Sequence, residues 1–259
     1  HHQYFHYVSP VQKTVSKLKA SFYILSIKEW NLDSMMFTYL WSPFKWLGKQ
    51  FQFLESKAYI VMLAIAGFAL TIFGYISQNN IAVLSKFLPI VLMSIALAVI
   101  LFSFAYRQSA LKAWIYLLTA HFFIIAAVLF NAAHINLVEI IFYASGVILA
   151  FFLGYYCLQK IKAVDNDISL NRFHGYVYEQ NTTGFLFLVA AMGILGFPLT
   201  AAFIGIDVLF TYVHSNQVVL IMLMALCFVF IELTAFRILL RIFFGPHKKL
   251  NHPVAFRSS

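Results

Sequence analysis

The stretch GFLFLVAAMGILGFPLTAAFIGIDVLFTY, residues 184–212, holds a single charged side chain, Asp207, in a run long enough to cross a bilayer. A hydrocarbon core needs ~20 predominantly apolar residues per helix. Gly193, Gly196, Pro198 and Gly205 fall inside the same run. Proline removes a helix hydrogen bond and clashes with the preceding turn, so one straight helix is not expected here. The reading is a helix interrupted near Phe197-Pro198-Leu199, with Gly196 and Pro198 as its hinge.

Worked outward, the same criterion finds five more apolar runs, at 58–77, 87–106, 111–130, 136–159 and 217–244. The composition agrees: 62% of the residues are hydrophobic, 10% are charged, and the mean hydropathy is +0.84. Soluble domains carry about a quarter charged residues, and with 29 Phe and 14 Tyr little is left to build a polar exterior. A water-soluble globule is excluded. The expected fold is an all-α polytopic membrane protein of about six transmembrane helices, the fifth broken near Pro198.

The net charge of +9 is tested as topology before it is read as a nucleic-acid signal. With six crossings, the N-terminus, the loops after spans two and four, and the C-terminus share one side. These hold 17 of the 18 Lys and Arg, with Lys86 alone opposite. The asymmetry predicts both termini in the cytoplasm and no nucleic-acid partner. The chain is read as integral to a bacterial inner membrane. Its domains are a cytoplasmic and interfacial region at 1–57, a six-helix domain at 58–244 and a cytoplasmic tail at 245–259.

Within residues 1–57, FTYLWSPFKWLGKQFQFL (37–54) places Leu40, Phe44, Leu47, Phe51 and Leu54 at three- and four-residue steps, with Lys45 and Lys49 on one face. This predicts an amphipathic helix with Pro43 near its start. It would lie in the membrane interface or dock on a partner subunit, since either place asks for one apolar face and a basic edge. No cleavable leader is visible, and the missing initiator Met suggests a trimmed or fragmentary chain. The opening His1-His2 is not read as a metal site.

Cys157 and Cys227 both sit in apolar runs, which leaves no disulfide framework or thiolate metal site. No nucleophilic triad, phosphate-binding glycine loop or metal-ligand spacing occurs. No cofactor and no catalytic chemistry are therefore expected of this chain. Attention falls on ionisable groups at membrane depth, each costing ~2.5–3.5 kcal/mol on insertion scales. They are His121 midway along span three, Asp207 after the break, Glu232 midway along span six, and Arg237. Lys112 and Glu139 lie near span ends, where they can reach the interface.

Each has a plain alternative. Glu232 and Arg237 can form a structural pair, or Arg237 can snorkel toward the surface with Arg241. His121 can bond a helix carbonyl, and Asp207 can sit at the far membrane surface beside His214. A neutral imidazole also takes and gives protons readily, and an interrupted helix frees backbone groups that attract water. The group points to proton or cation movement through His121, Asp207 and Glu232, with Lys112 as a modulating charge.

Two segments resemble the antiporter-like membrane subunits of respiratory complex I and the multisubunit cation/proton antiporters. RQSALKAWIYLLTAHFFIIAAVLF (107–130) is similar to their stretch q-x-D-L-K-R-x-x-A-Y-S-S-x-x-H-x-G. GFLFLVAAMGILGFPLTAAFIGIDVLF (184–210) resembles their later span, G-[LF]-P-x-[TL]-x-[GA]-F-x-[GS]-[KE]-[DF]. FRILLRIFFGPH (236–247) looks like the end of the span that follows, and residues 22–54, with Asp33 and Ser42-Pro43-Phe44, resemble a region after the core helices.

By that resemblance Tyr116 and His121 match the family's Tyr and His five apart, and His121 inherits a proton-relay role. Lys112 meets the family's lysine only with one residue missing between. The family's essential Lys or Glu falls at Ile206, so Asp207, its neighbour, has to substitute. Members carry about 14 helices in two inverted repeats, and this chain resembles the later part of the second.

The resemblance implies a proton-translocating subunit of a multisubunit pump of the NADH:quinone oxidoreductase type, working beside other membrane subunits. Related chains pair with a soluble zinc-containing partner to accumulate inorganic carbon, which is the second reading. A non-conducting scaffold is the third.

Overall fold

A computed structural model describes residues 38–39, 42–76, 87–132, 135–198 and 200–245. The chain divides into two compact units, His1–Trp46 and Leu47–Ser259. The first lies almost wholly outside the described residues, as do Asp33, Leu40, Lys86, Leu199 and the tail after Gly245.

The described elements are α1 (Ser42–Gln50), α2 (Lys57–Ile76), α3 (Leu88–Ala105), α4 (Ala110–Asn131), α5 (Leu137–Val164), α6 (Asn181–Ile194), α7 (Ala201–Thr211) and α8 (Val218–Ile242). Short 3₁₀ turns occupy Gln52–Glu55 and Tyr176–Tyr178. No strand occurs among the described residues. Five helices, α2, α3, α4, α5 and α8, are long and apolar enough to cross a bilayer. The described residues are all-helical, and by length and composition these five helices suggest an integral membrane protein.

α1 begins at Ser42 with Pro43 in its first turn, a position where the missing N–H is no loss. α5 opens on Asn136, whose side chain accepts from the Val138 amide at 3.2 Å, with Glu139 in the first turn. Both features stabilise a helix N-terminus. α5 ends five residues beyond the apolar run read from sequence. Its last turns carry Lys160 and Lys162, charges that suit a helix C-terminus, so the helix outlasts its apolar stretch.

α4 is the central element, packing against α2, α3, α5 and α8. Its apolar window is 83% buried, against 17% for α2, whose Val61, Ile65, Phe68 and Ile72 face outward. A helix apolar all round suits either lipid or a protein core, and position in the bundle decides between them. α5 carries α6 and α7, while α8 lies along α3. Trp114 of α4 fits into the space left by Gly154 of α5, where an added Cβ would sit 2.3 Å from the indole.

The run at 184–212 appears as α6 and α7 with a non-helical link between them. The stop is made by Gly196 rather than by Pro198. The Phe197 amide donates to the Met192 carbonyl at 2.9 Å and the Gly196 amide to the Gly193 carbonyl at 3.3 Å, with Gly196 at φ +65°. This is the Schellman arrangement, in which a left-handed residue closes the helix end. Pro198 follows two residues later, exposed, where it prevents the helix from resuming at once.

Candidate functional site

His121 lies in the middle of α4, fully buried. Its Nδ1 is 2.6 Å from the hydroxyl of Tyr143 on α5, which is also fully buried. Its Nε2 has no partner among the described residues. The sequence offered a helix carbonyl as the plain partner of this imidazole; the partner is a phenol on a neighbouring helix instead. Gly205 of α7 presses against Tyr143, and an added Cβ there would come within 2.4 Å of the Tyr143 Cβ. That close approach is possible only without a side chain, and it seats α7 directly behind the His121–Tyr143 pair.

α7 rests on α5, and α8 on α3 and α4. Between α7 and α8 lies a cleft of about 190 Å³, whose lining includes Gly196, Phe203, Ile206, Asp207, Phe228 and Glu232. Asp207 and Glu232 are both exposed there, and neither has a hydrogen-bond or ion-pair partner among the described residues. Ile206 covers Gly196, its Cδ1 2.3 Å from where a Cβ would stand, so the helix end at Gly196 forms part of the cleft wall. Phe228 connects the cleft to the buried pair. Its ring lies 6.4 Å from that of His121 and 5.8 Å from that of Phe210, another lining residue.

The bundle thus brings His121, Asp207 and Glu232 around Phe228, without joining them in a hydrogen-bonded line. Lys112 is placed elsewhere. It lies nine residues before His121 on the same helix, ~13 Å along the axis at 1.5 Å per residue. Its Nζ donates to the Glu55 carbonyl at 3.0 Å and sits 5.7 Å from the Tyr106 ring centre. Tyr116 donates to the Leu54 carbonyl. Arg237 does not pair with Glu232; its guanidinium donates to the carbonyls of Phe104 and Tyr106 at the end of α3. Glu139 accepts from the Tyr212 hydroxyl. Among the described residues no three His, Cys, Asp or Glu side chains converge on a metal position.

Sequence reading missed Tyr143 and Phe228, which carry no charge and sit in apolar runs like many other aromatics, and it read Gly205 only as a helix-weakening residue. It also missed a polar lock at one end of the bundle. Asn131 and Gln217 exchange side-chain hydrogen bonds of 2.9 and 2.7 Å, and Asn131 also donates to the Tyr212 carbonyl at 2.9 Å. This ties the α7–α8 turn to the end of α4.

No protein-family profile, curated protein or solved structure matches the chain. The site is therefore read from its own geometry.

Proposed function

We propose that this chain is a proton-translocating membrane subunit of a larger ion-pumping complex. The observation that carries the reading is the α7–α8 cleft, where two unpaired carboxylates, Asp207 and Glu232, face the helix end at Gly196. Uncompensated carboxylates at membrane depth are costly, and they are found where ions or protons move. Interrupted helices expose backbone dipoles that hydrate such places. His121 is the next station inward. Held by Tyr143 on one nitrogen and open on the other, it exchanges a proton with the cleft when the Phe228 ring turns aside and admits water.

In this reading α6 and α7 together make one interrupted crossing. Their 14 and 11 residues give ~37 Å of helix at 1.5 Å per residue, enough for a ~30 Å core. Six crossings then put both ends of the chain on the cytoplasmic side, as the Lys and Arg distribution requires. The cleft opens outward, so another membrane subunit completes the pathway.

The test is passive proton flux in vesicles reconstituted with the chain and its co-purifying subunits. Asp207→Asn, Glu232→Gln and His121→Phe are each expected to bring flux toward background. Flux unchanged in all three would leave a scaffold that does not conduct.

A further inference from the structure

We propose that Arg107, Arg237 and Arg241 form a binding site for the phosphate group of an anionic phospholipid, at the end of the bundle where α3 and α8 finish together. The proposal is independent of the transport reading, since none of these residues touches the cleft.

Arg237 reaches across from α8 to α3 and donates to the carbonyls of Phe104 and Tyr106. Arg107 is the next residue along from that contact. Arg241 is one turn beyond Arg237 on α8, its guanidinium 4.2 Å from the ring centre of Phe173. Arg107 directly follows Tyr106, which accepts from Arg237, and Arg241 stands one turn from Arg237, so all three arginines lie at this end of the bundle. The loop between α5 and α6 fixes Arg107 and Arg241 by their backbones. The Leu170 amide donates to the Arg107 carbonyl at 2.7 Å, and the His174 amide donates to the Arg241 carbonyl at 2.9 Å.

Three arginines thus share this end of the bundle. None pairs with a carboxylate among the described residues. Two acidic groups of the loop are engaged elsewhere: Asp165 accepts from Tyr176, and Asp167 accepts from the Ser169 amide and pairs with Arg172 at 2.9 Å. The C-termini of α3 and α8 each contribute about half a negative charge, which leaves a surplus of about two positive charges. Arg237 and Arg241 are half-buried while Arg107 is exposed, so an anion can approach from the membrane surface. Guanidinium forks match phosphate oxygens two at a time, and basic pockets between helices at the membrane surface bind anionic headgroups.

The experiment is competitive retention of phosphatidylglycerol against phosphatidylcholine on the purified full chain, read by native mass spectrometry. Arg237 is left intact because it caps α3. In R107Q/R241Q the preference for phosphatidylglycerol should fall by about tenfold or more, the loss expected when charge-assisted hydrogen bonds to the headgroup are removed. K160Q/K162Q removes two exposed charges from the same end of the bundle and should change the preference little. Equal losses in the two double variants would mean diffuse surface charge and overturn the proposal, as would an unchanged preference in R107Q/R241Q.

If R107Q/R241Q fails to fold, R107K/R241K keeps the charge but loses the forks. It should retain less phosphatidylglycerol than wild type at equal lipid concentration, and retention equal to wild type would overturn the site. Inorganic phosphate added to the retention assay separates the two sources of the group. Lipid that stays bound supports the headgroup as ligand, and displacement at matched concentration would overturn it in favour of free phosphate.

Discussion

Tyr143 on α5 holds the imidazole of His121 on α4 by one hydrogen bond of 2.6 Å, and the ring's other nitrogen has no partner among the described residues. If the phenol donates to Nδ1, the proton sits on Nε2 as an unpaired donor; if Nδ1–H donates, Nε2 is an unpaired acceptor. In both tautomers the open nitrogen is the one a proton would use to enter or leave. A buried polar atom left without a partner costs about 1–3 kcal/mol, so a wholly structural histidine would gain from pairing both nitrogens.

Tyr143→Phe removes that one partner and leaves both ring nitrogens unpaired. The thermal unfolding midpoint in detergent should fall by the equivalent of about 1–3 kcal/mol, and proton flux in vesicles should fall with it. A loss of stability with flux intact would assign His121 to packing alone.

Gly196→Ala meets two obstacles. A φ of +65° disfavours any residue with a Cβ by about 1–2 kcal/mol, and that Cβ would lie 2.3 Å from Ile206 Cδ1. Adding Ile206→Ala removes the clash but not the backbone strain. The double variant should therefore recover only part of the stability lost by the single one, measured by unfolding in detergent. Full recovery would show that the backbone conformation carries no penalty.

Gln217→Ala breaks the reciprocal pair with Asn131 and leaves the Asn131 carbonyl oxygen without its donor. The α7–α8 turn should loosen, at an expected loss of about 1–3 kcal/mol. Faster backbone amide exchange confined to residues 212–217 would be the signature, and exchange unaltered there would contradict the role of the pair.

The loop between α5 and α6 predicts a pH dependence. The Tyr176 hydroxyl, then the Asp167 amide, hold the Asp165 carboxyl below the usual carboxylate range. A group depressed in the fold adds stability at pH values above its unfolded pKa of ~3.9, and that stability disappears as pH falls through the lower folded value. Wild type should melt above Asp165→Asn at about pH 6, and the gap should close as pH falls below ~4. A gap constant across this range would rule out the Asp165 carboxylate as its source.

The all-helical class of this protein and its long apolar helices were legible in the residues alone. Backbone amides cannot be left unpaired in hydrocarbon, so a long apolar run has to become helix whatever surrounds it. The interior was another matter. α4 is apolar on every side, which leaves nothing in its periodicity to show that it would be the central helix or that Lys112 and His121 would end in separate surroundings. Tyr143 lies 22 residues from His121, and Asp207 and Glu232 come from helices that barely meet, joined only by the cleft between them. Such pairings depend on close fits across helices, Gly205 on Tyr143 and Gly154 on Trp114, whose partners are far apart in sequence. Apolarity drives insertion into lipid but does not select neighbours, so only the packed bundle could decide which polar groups would meet.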